Sequence, residues 1–365
     1  MNITSWFEFD PHQLDELVRS TVTPVRTWRT AVLYGAASTE DRLYMQSKPQ
    51  SDWSVHDVLA GLEALGVTAQ WLDPTADDFH DRVGGFDAAF LNVHGDFGED
   101  GNLQGTLAYL GVPYTGSGVA TSAIGADKRL TKLVLAGSCV TVPAHQRLTP
   151  ADPVDAHPGC PVMLKAVNGG SSVGTVLITE PADFEPTLRQ LWEDGFHDVL
   201  SEPFITGTAV TVPAIRMGGQ AVMLPPIACL SDREYYDEYS KLHGEQAGSV
   251  HYQALLDPDD QRLGTLHEAT REVLATIGFE GAIRADFILT EDGDPVLLEV
   301  NTIPGVQHGS NLVLSAEAAG IAYPDLLGVI LASARHGRKL APWTSAANQQ
   351  AQDDVRAGTL PATTA

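Results

Sequence analysis

Apolar and polar positions along this chain change rhythm from strand to helix and back. TAVLYG (30–35) is a strand-like run, and after a polar loop VHDVLAGLEALG (55–66) carries apolar residues at helical spacing. FDAAFLNVHG (86–95) reads as another strand that ends in a glycine-rich loop. This alternation predicts a small parallel sheet with crossover helices in the first third of the chain. PYTGSG (113–118) is turn-rich, and TSAIGADKRLTKLVLAG (121–137) predicts a helix with a glycine near its end. Short strands follow at PVMLKAV (161–167), GTVLIT (174–179) and DVLSEPF (198–204), with a helix at PADFEPTLRQLWEDG (181–195) between the last two. The final third opens with strands TAVTVPAIRM (208–217) and AVMLPP (221–226). A polar, tyrosine-rich loop (231–252), a helix at DDQRLGTLHEATREVLATIG (259–278), a hairpin and a helical region up to about 336 complete the pattern. From Arg338 onward Ala, Gln, Thr and Asp dominate, and this tail is expected to fray. There is no internal repeat.

The hairpin, GAIRADFILTEDGDPVLLEVN (281–301), carries the strongest local inference. Two apolar runs flank a turn for which Asp292-Gly293 is a favourable centre. With the turn centred there, Asp286 faces Glu299 and Arg284 faces Asn301. Residues two apart share a strand face, so the four polar groups gather on one side. Ile283, Ala285, Phe287, Leu298 and Val300 then point the other way. Opposed carboxylates repel unless their charge is cancelled. One reading is a solvated face with Arg284 as the neutralising partner. The other is a magnesium site in which Asp286, Glu299 and Asn301 offer hard oxygen ligands beside nucleotide phosphates. NTIPG (301–305) favours the second, because a rigid Pro-Gly turn there can present backbone N–H groups to an oxyanion.

Two further segments bear on chemistry. In PVMLKAVNGGSSVGTVLI (161–178) a Gly-Gly-Ser-Ser loop joins two strands, with Lys165 at the end of the first. Such a loop can fold over phosphates while Lys165 adds a point charge, or it is a plain glycine-rich hairpin. No GxxxxGK[ST] is present, and TGSGVAT (115–121) only half imitates GxGxxG, so phosphate binding needs another architecture. NVHGDFGEDGNLQG (92–105) puts His94 and Glu99 at a strand end, where open α/β sheets bind ligands.

Composition narrows the partners. The chain has 365 residues, enough for two or three α/β units, and 43% are hydrophobic, enough for a sizeable core. Lys and Arg number 22 against 47 Asp and Glu, a formal net charge of −25. That field repels nucleic acid and anionic lipid, so neither is an expected partner, and a phosphate ligand must be held by a few dedicated cations. Cys139, Cys160 and Cys229 lack metal-ligand spacing and read as reduced thiols. The first twenty residues contain acids and no continuous apolar run, unlike a signal peptide, and no stretch approaches a membrane span. A cytoplasmic protein is expected.

These residues resemble a known family. HGDFGEDGNLQGTLAYLGVPYTGSGV, ADKRLTK, PVMLK with GGSSVG, RADF and LLEVNTIPG occur in the order found in D-alanine–D-alanine ligases of the ATP-grasp superfamily, over about residues 30–330. The resemblance implies an α/β fold, α+β in part, with three domains. These are an N-terminal Rossmann-like domain with a parallel sheet (28–118), a central domain with the phosphate flap (119–207) and a C-terminal domain with the metal site (208–336). The last two clamp ATP, and a tail (337–365) follows. Carried over residue by residue, Lys128, Lys165 and Lys241 are similar to the phosphate contacts, with Ser172 in the flap. Glu202 and Phe204 resemble the adenine-side pair. Asp286, Glu299 and Asn301 match the ligands of magnesium, two ions, for which manganese can substitute. Arg284 and the Gly305 N–H match the groups that stabilise the tetrahedral intermediate. Glu40, with Ser171 nearby, resembles the acid that binds the first substrate's amine. His94 and Glu99 correspond to the first-substrate pocket, and Ser310 and Asn311 to the second substrate's carboxylate site. The implied reaction activates a carboxylate as an acyl phosphate and passes it to an amine. The implied partners are small amino-acid-like substrates and, as commonly in the family, a second copy of the chain.

The departures from the family pattern gather at substrate positions. Ala36 stands for a second glycine, Asp-Arg-Leu-Tyr follows Glu40, and MQSKPQSDW (45–53) is an unusual segment. Leu242 replaces a tyrosine that closes the first-substrate site, at a cost of about 1–3 kcal/mol for lost hydrogen bonds. Ala209 replaces the ribose-binding acid, and Asn311 a usual leucine. The expectation is a ligase with altered amino-acid specificity in a specialised biosynthetic pathway. The alternatives are a true D-alanine–D-alanine ligase of peptidoglycan synthesis and a non-catalytic nucleotide-binding protein.

Overall fold

The structure, a computed structural model, describes residues 3–152, 159–168, 174–231, 250–257 and 259–334. It opens with β1 (Ile3–Ser5) and a helix, Pro11–Val22. Asp10 caps that helix by accepting from the His12 and Gln13 N–H groups, Pro11 sits where no N–H is needed, and Leu14, Val18 and Val22 form its buried stripe. Neither element was expected from the sequence, which places the first strand near residue 30.

The small parallel sheet of the first third is present. Strands β2 (Arg29–Leu33), β3 (Thr68–Leu72) and β4 (Ala88–Leu91) run in the order β3-β2-β4, all parallel. β4 is buried along its whole length, which is why it reads as continuous apolar residues. The helix Ser54–Ala64 crosses over between β2 and β3 and buries Val55, Val58 and Leu62. The strand expected over 86–95 stops at Leu91, and residues 92–101 form the loop beyond its carboxyl end.

The segment expected as one helix over 121–137 is two, Val119–Ala126 and Lys128–Leu135. Asp127 leaves the helical conformation and caps the second by accepting from the Leu130 N–H, so the chain bends at the start of the lysine-bearing turn. Next come β5 (Gln146–Leu148), β6 (Val162–Ala166), β7 (Thr175–Ile178) and β8 (Val199–Pro203), an antiparallel sheet in the order β5-β8-β6-β7. The helix Phe184–Glu193 covers it with Phe184, Leu188, Leu191 and Trp192.

The largest sheet has seven strands, β1 with β9 (Thr208–Met217), β10 (Gln220–Met223), β11 (Ile227–Ser231), β12 (Val250–Ala254), β13 (Ala282–Leu289) and β14 (Pro295–Asn301). β9 is its hub: β13 pairs along the whole of one edge, while β10 and β11 share the other. β1 adds in parallel to β10. β12 begins inside the segment expected to be loop, and it places His251, expected as a loop residue, opposite Leu230. The helix Gln261–Ile277 packs Leu263, Leu266, Val273 and Leu274 against the sheet. Helices Asn311–Ala318 and Tyr323–Ala332 close the described chain. Among the described residues no single helix is long and apolar enough to cross a membrane. Cys139, Cys160 and Cys229 are thiols, as expected.

Candidate functional site

The β13–β14 ribbon has the expected register where chemistry was expected. Arg284 pairs with Asn301 and Asp286 with Glu299. All four are half-buried, while Ile283, Ala285 and Val300 between them are buried, so the polar set occupies one face. Nearer the turn the register shifts. A bulge between Asp286 and Phe287 pairs Phe287 with Leu297, not with Leu298 as expected. Leu297 takes the core position, 1% exposed, and Leu298 is left half-buried.

The polar face is charge-matched. Arg284 donates from Nε and a terminal nitrogen to the two Asp286 oxygens at 2.8 and 2.7 Å. Thr211, the neighbour of Asp286 on β9, donates its hydroxyl to Asp286 Oδ1 at 2.5 Å. Lys128 Nζ lies 3.2 Å from Glu299 Oε2. Burial works against the Arg284 charge, but Asp286, with help from Glu299 and Glu99, more than offsets it and raises the guanidinium pKa above its ordinary value. Asn301 Oδ1 accepts from the Ile303 N–H at 3.0 Å, which starts the Pro-Gly turn. Ser310 Oγ donates to the Gly305 carbonyl at 2.7 Å and so ties the turn to the start of the helix Asn311–Ala318. Among the described residues no group of three His, Cys, Asp or Glu side chains could hold a metal, so the donor set here is two carboxylates and one amide.

A second charged cluster lines the central sheet. Glu202 on β8 is 2% exposed. Its Oε2 accepts from Lys165 Nζ at 2.9 Å, and Lys132 Nζ lies 3.0 Å from its Oε1. Burial favours the neutral carboxyl, but the two lysines outweigh it and hold Glu202 below the usual carboxylate range. Met163 pairs with Glu202 across β6 and β8, so Lys165, two residues on, leans over the same face. Phe204 follows β8, half-buried, with its N–H on the Pro161 carbonyl at 3.1 Å. Lys128 opens its helix with its own N–H on the Val167 carbonyl at 3.1 Å, and Asp127 bridges Asn168 at the base of the expected phosphate loop.

The loop after β4 carries His94 and Glu99. Glu99 is 9% exposed and accepts from the Gly95 N–H at 2.7 Å. Asp41, 3% exposed, accepts from the His94 N–H at 3.2 Å and lies 3.4 Å from His94 Nδ1. Glu40 belongs to the helix Thr39–Ser47, but its side chain lies outside the described part. Ser171, Ser172, Lys241, Leu242, His243 and the tail 337–365 also lie outside the described residues. Ala209 stands on β9 opposite Ile288 and Cys229 and offers no side-chain acceptor there.

Three residues of these clusters escaped the sequence reading. Lys132 stands one helical turn beyond Lys128, and that spacing was a usable signal. Thr211 is the one polar residue in the middle of TAVTVPAIRM, where it lies beside Asp286. Nothing local in the sequence distinguishes Asp41 from the adjacent Glu40.

Comparison with known proteins gives a consistent picture. The family model described as "D-ala D-ala ligase C-terminus" matches residues 143–332, and "D-ala D-ala ligase N-terminus" matches residues 45–117. The D-alanine–D-alanine ligase of Cupriavidus pinatubonensis is 34% identical over 320 residues, 86% of this chain and 94% of that one. That of Alcanivorax borkumensis is 37% identical over 309 residues, 85% of this chain and 94% of the other. The crystal structure of D-alanine–D-alanine ligase from Bacillus anthracis complexed with ATP superposes with a TM-score of 0.70 at 25% identity, covering 84% of this chain and 97% of that one.

Proposed function

Because the chain belongs to the D-alanine–D-alanine ligase family and is therefore an ATP-grasp ligase, we propose that it joins two molecules of D-alanine with conversion of ATP to ADP and phosphate. The observation that carries this reading is the ribbon register, which brings Arg284, Asp286, Glu299 and Asn301 to one face with Lys128 against Glu299. The sequence departures favour altered substrates. What supports D-alanine is the name shared by relatives that align over 85–86% of the chain.

In this reading Lys128 and Lys165 hold the nucleotide phosphates, with Lys241 as a third cation, and spread the charge that builds as the γ-phosphoryl group moves to a carboxylate oxygen. Glu202 and Phe204 face the adenine. The ATP complex of the Bacillus anthracis relative supports the nucleotide assignment. Magnesium fits the donor set of Asp286, Glu299 and Asn301, which supplies three hard oxygens and needs phosphate or water to complete a coordination shell. When bound, magnesium would supply positive charge that offsets that of the phosphates. Arg284 and the Gly305 N–H stabilise the oxyanion formed when the second amine attacks the acyl phosphate. Ser310 holds the Gly305 turn in place, and Asn311 lies beside it for the second carboxylate. His94 and Glu99 border the first-substrate pocket, where Glu40 receives the amine with Ser171 nearby. Dependence on ATP supports a cytoplasmic location, and the family resemblance supports a homodimer.

Purified protein with ATP, magnesium and D-alanine as the only amino acid tests the assignment, with phosphate release as the readout and mass spectrometry of the product. Phosphate release together with a D-alanyl-D-alanine mass is the expected result. A second reading, altered specificity, draws on the buried Asp41 and on the segment 45–53, which Trp53 ties back through its indole N–H to the Met45 carbonyl at 3.2 Å. Silence with D-alanine and turnover with another amino acid would select it. Absence of turnover with any amino acid, despite nucleotide binding, would select the non-catalytic alternative that Ala209 raises.

A further inference from the structure

The helix Lys128–Leu135 sends one lysine to the central four-stranded sheet and one to the seven-stranded sheet. Lys128 reaches Glu299 on β14, and Lys132, one turn further along, reaches Glu202 on β8. The two lysines differ in access. The Lys132 side chain is 2% exposed, against 10% for Lys128 and 11% for Lys165. Lys132 therefore has no open side from which to meet a ligand, whereas each of the others keeps part of its length exposed.

Glu202 is consequently shared by one accessible lysine and one sealed lysine. A nucleotide phosphate competes with Glu202 for Lys165, and if Lys165 swings to the phosphate a deeply buried carboxylate loses one of its two counter-ions. With Lys132 in place the carboxylate keeps the other. Without it, Glu202 would hold Lys165 back. We propose that Lys132 is a positioning residue of the nucleotide site: it neutralises Glu202 from within, and so leaves Lys165 available to the phosphates. Burial lowers the Lys132 pKa, Glu202 opposes this, and Lys165 and Lys128 lower it further, which places all three ammonium groups within reach of one another's charge. Lys132 and Lys165 share the single acid Glu202, which leaves a local excess of positive charge for an anion in a chain whose overall charge is −25.

This inference rests on the nucleotide reading of the site. It is tested by calorimetric titration of the full chain with a non-hydrolysable ATP analogue and magnesium. Lys132→Met should weaken analogue binding by about tenfold or more, with an unchanged circular dichroism spectrum and an unchanged KM for the amino acid. Lys132→Arg, which keeps the charge, should bind within about threefold of wild type. Adding Glu202→Gln to Lys132→Met should recover affinity relative to Lys132→Met alone, because the amide carries no charge to hold Lys165. If Lys132→Met does not fold, the other two variants decide: arginine must retain affinity, and the double variant must fold and bind better than one carrying Lys165→Met. Wild-type affinity in Lys132→Met, or no recovery in the double variant, overturns the proposal. Absence of analogue binding by the wild type overturns the nucleotide reading as well.

Discussion

Replacing Arg284 by Met removes a planar cation and leaves a side chain of comparable length. Two losses follow, and they appear in different measurements. The first is local stability. Asp286 loses two charge-assisted hydrogen bonds, at 2.8 and 2.7 Å, and keeps only the Thr211 hydroxyl. Bonds to charged groups are worth about 1.5–3 kcal/mol each when buried. Here the side chains are 16% and 18% exposed and water can reach the vacated carboxylate, so a total loss of about 2–3 kcal/mol is expected. Magnesium with nucleotide should restore part of it, since a cation beside Asp286 supplies the missing counter-charge. The second loss is catalytic. Removing one donor from an oxyanion site costs about 10²–10³ in kcat, and the KM for ATP should move far less. Urea denaturation with and without magnesium nucleotide measures the first effect, and coupled ADP release at saturating substrates the second. A kcat within tenfold of wild type would refute the oxyanion role. A stability loss that magnesium nucleotide leaves untouched would refute a metal at Asp286.

Two other substitutions probe the framework. Gly207 has φ +152°, and a Cβ there would overlap the Leu289 carbonyl at the start of the β9–β13 pairing. Gly207→Ala should destabilise by about 2 kcal/mol or more, seen as a lower urea midpoint. His267 lies under Trp6 and Phe7, 5% exposed, and burial, then Arg271, lowers its pKa to about 4 from 6.5, with Glu8 opposing. The neutral ring is the folded form, so its contribution is complete above about pH 6.5 and is lost as pH falls toward 4, by up to about 3 kcal/mol. Unfolding of wild type and His267→Leu at pH 7 and pH 4.5 should show a smaller acid loss in the variant, and equal losses would remove His267 as the cause.

The β13–β14 ribbon was legible because two local signals agree there: alternation through IRADF and a favourable Asp-Gly turn. The bulge was not, because PVLLEV places two leucines side by side and alternation cannot say which faces the core. The break at Asp127 was marked by a capping residue, yet the apolar spacing continues through it and hides the bend. β1 is three residues long and gains its identity only from Ala221–Met223, over two hundred positions away. The Lys132–Glu202 contact is also long-range, joining a helix to a strand about 70 positions further on, beyond any local pattern. Local chemistry was thus readable wherever neighbours in sequence are neighbours in space, and unreadable where the tertiary fold supplies the partner.

The core beneath the small parallel sheet is built from both directions of the chain. Leu14, Val18 and Val22 from the helix Pro11–Val22 share one cluster with Leu326, Leu327 and Leu331 from the helix Tyr323–Ala332, and Gly328 allows the close approach of Val22. During synthesis on a ribosome the Pro11–Val22 stripe therefore waits, uncovered, for roughly three hundred more residues to emerge before its partner exists. Nascent chains stalled short of Tyr323 would expose that stripe to chaperones, and release of the helix Tyr323–Ala332 would be the event that hides it.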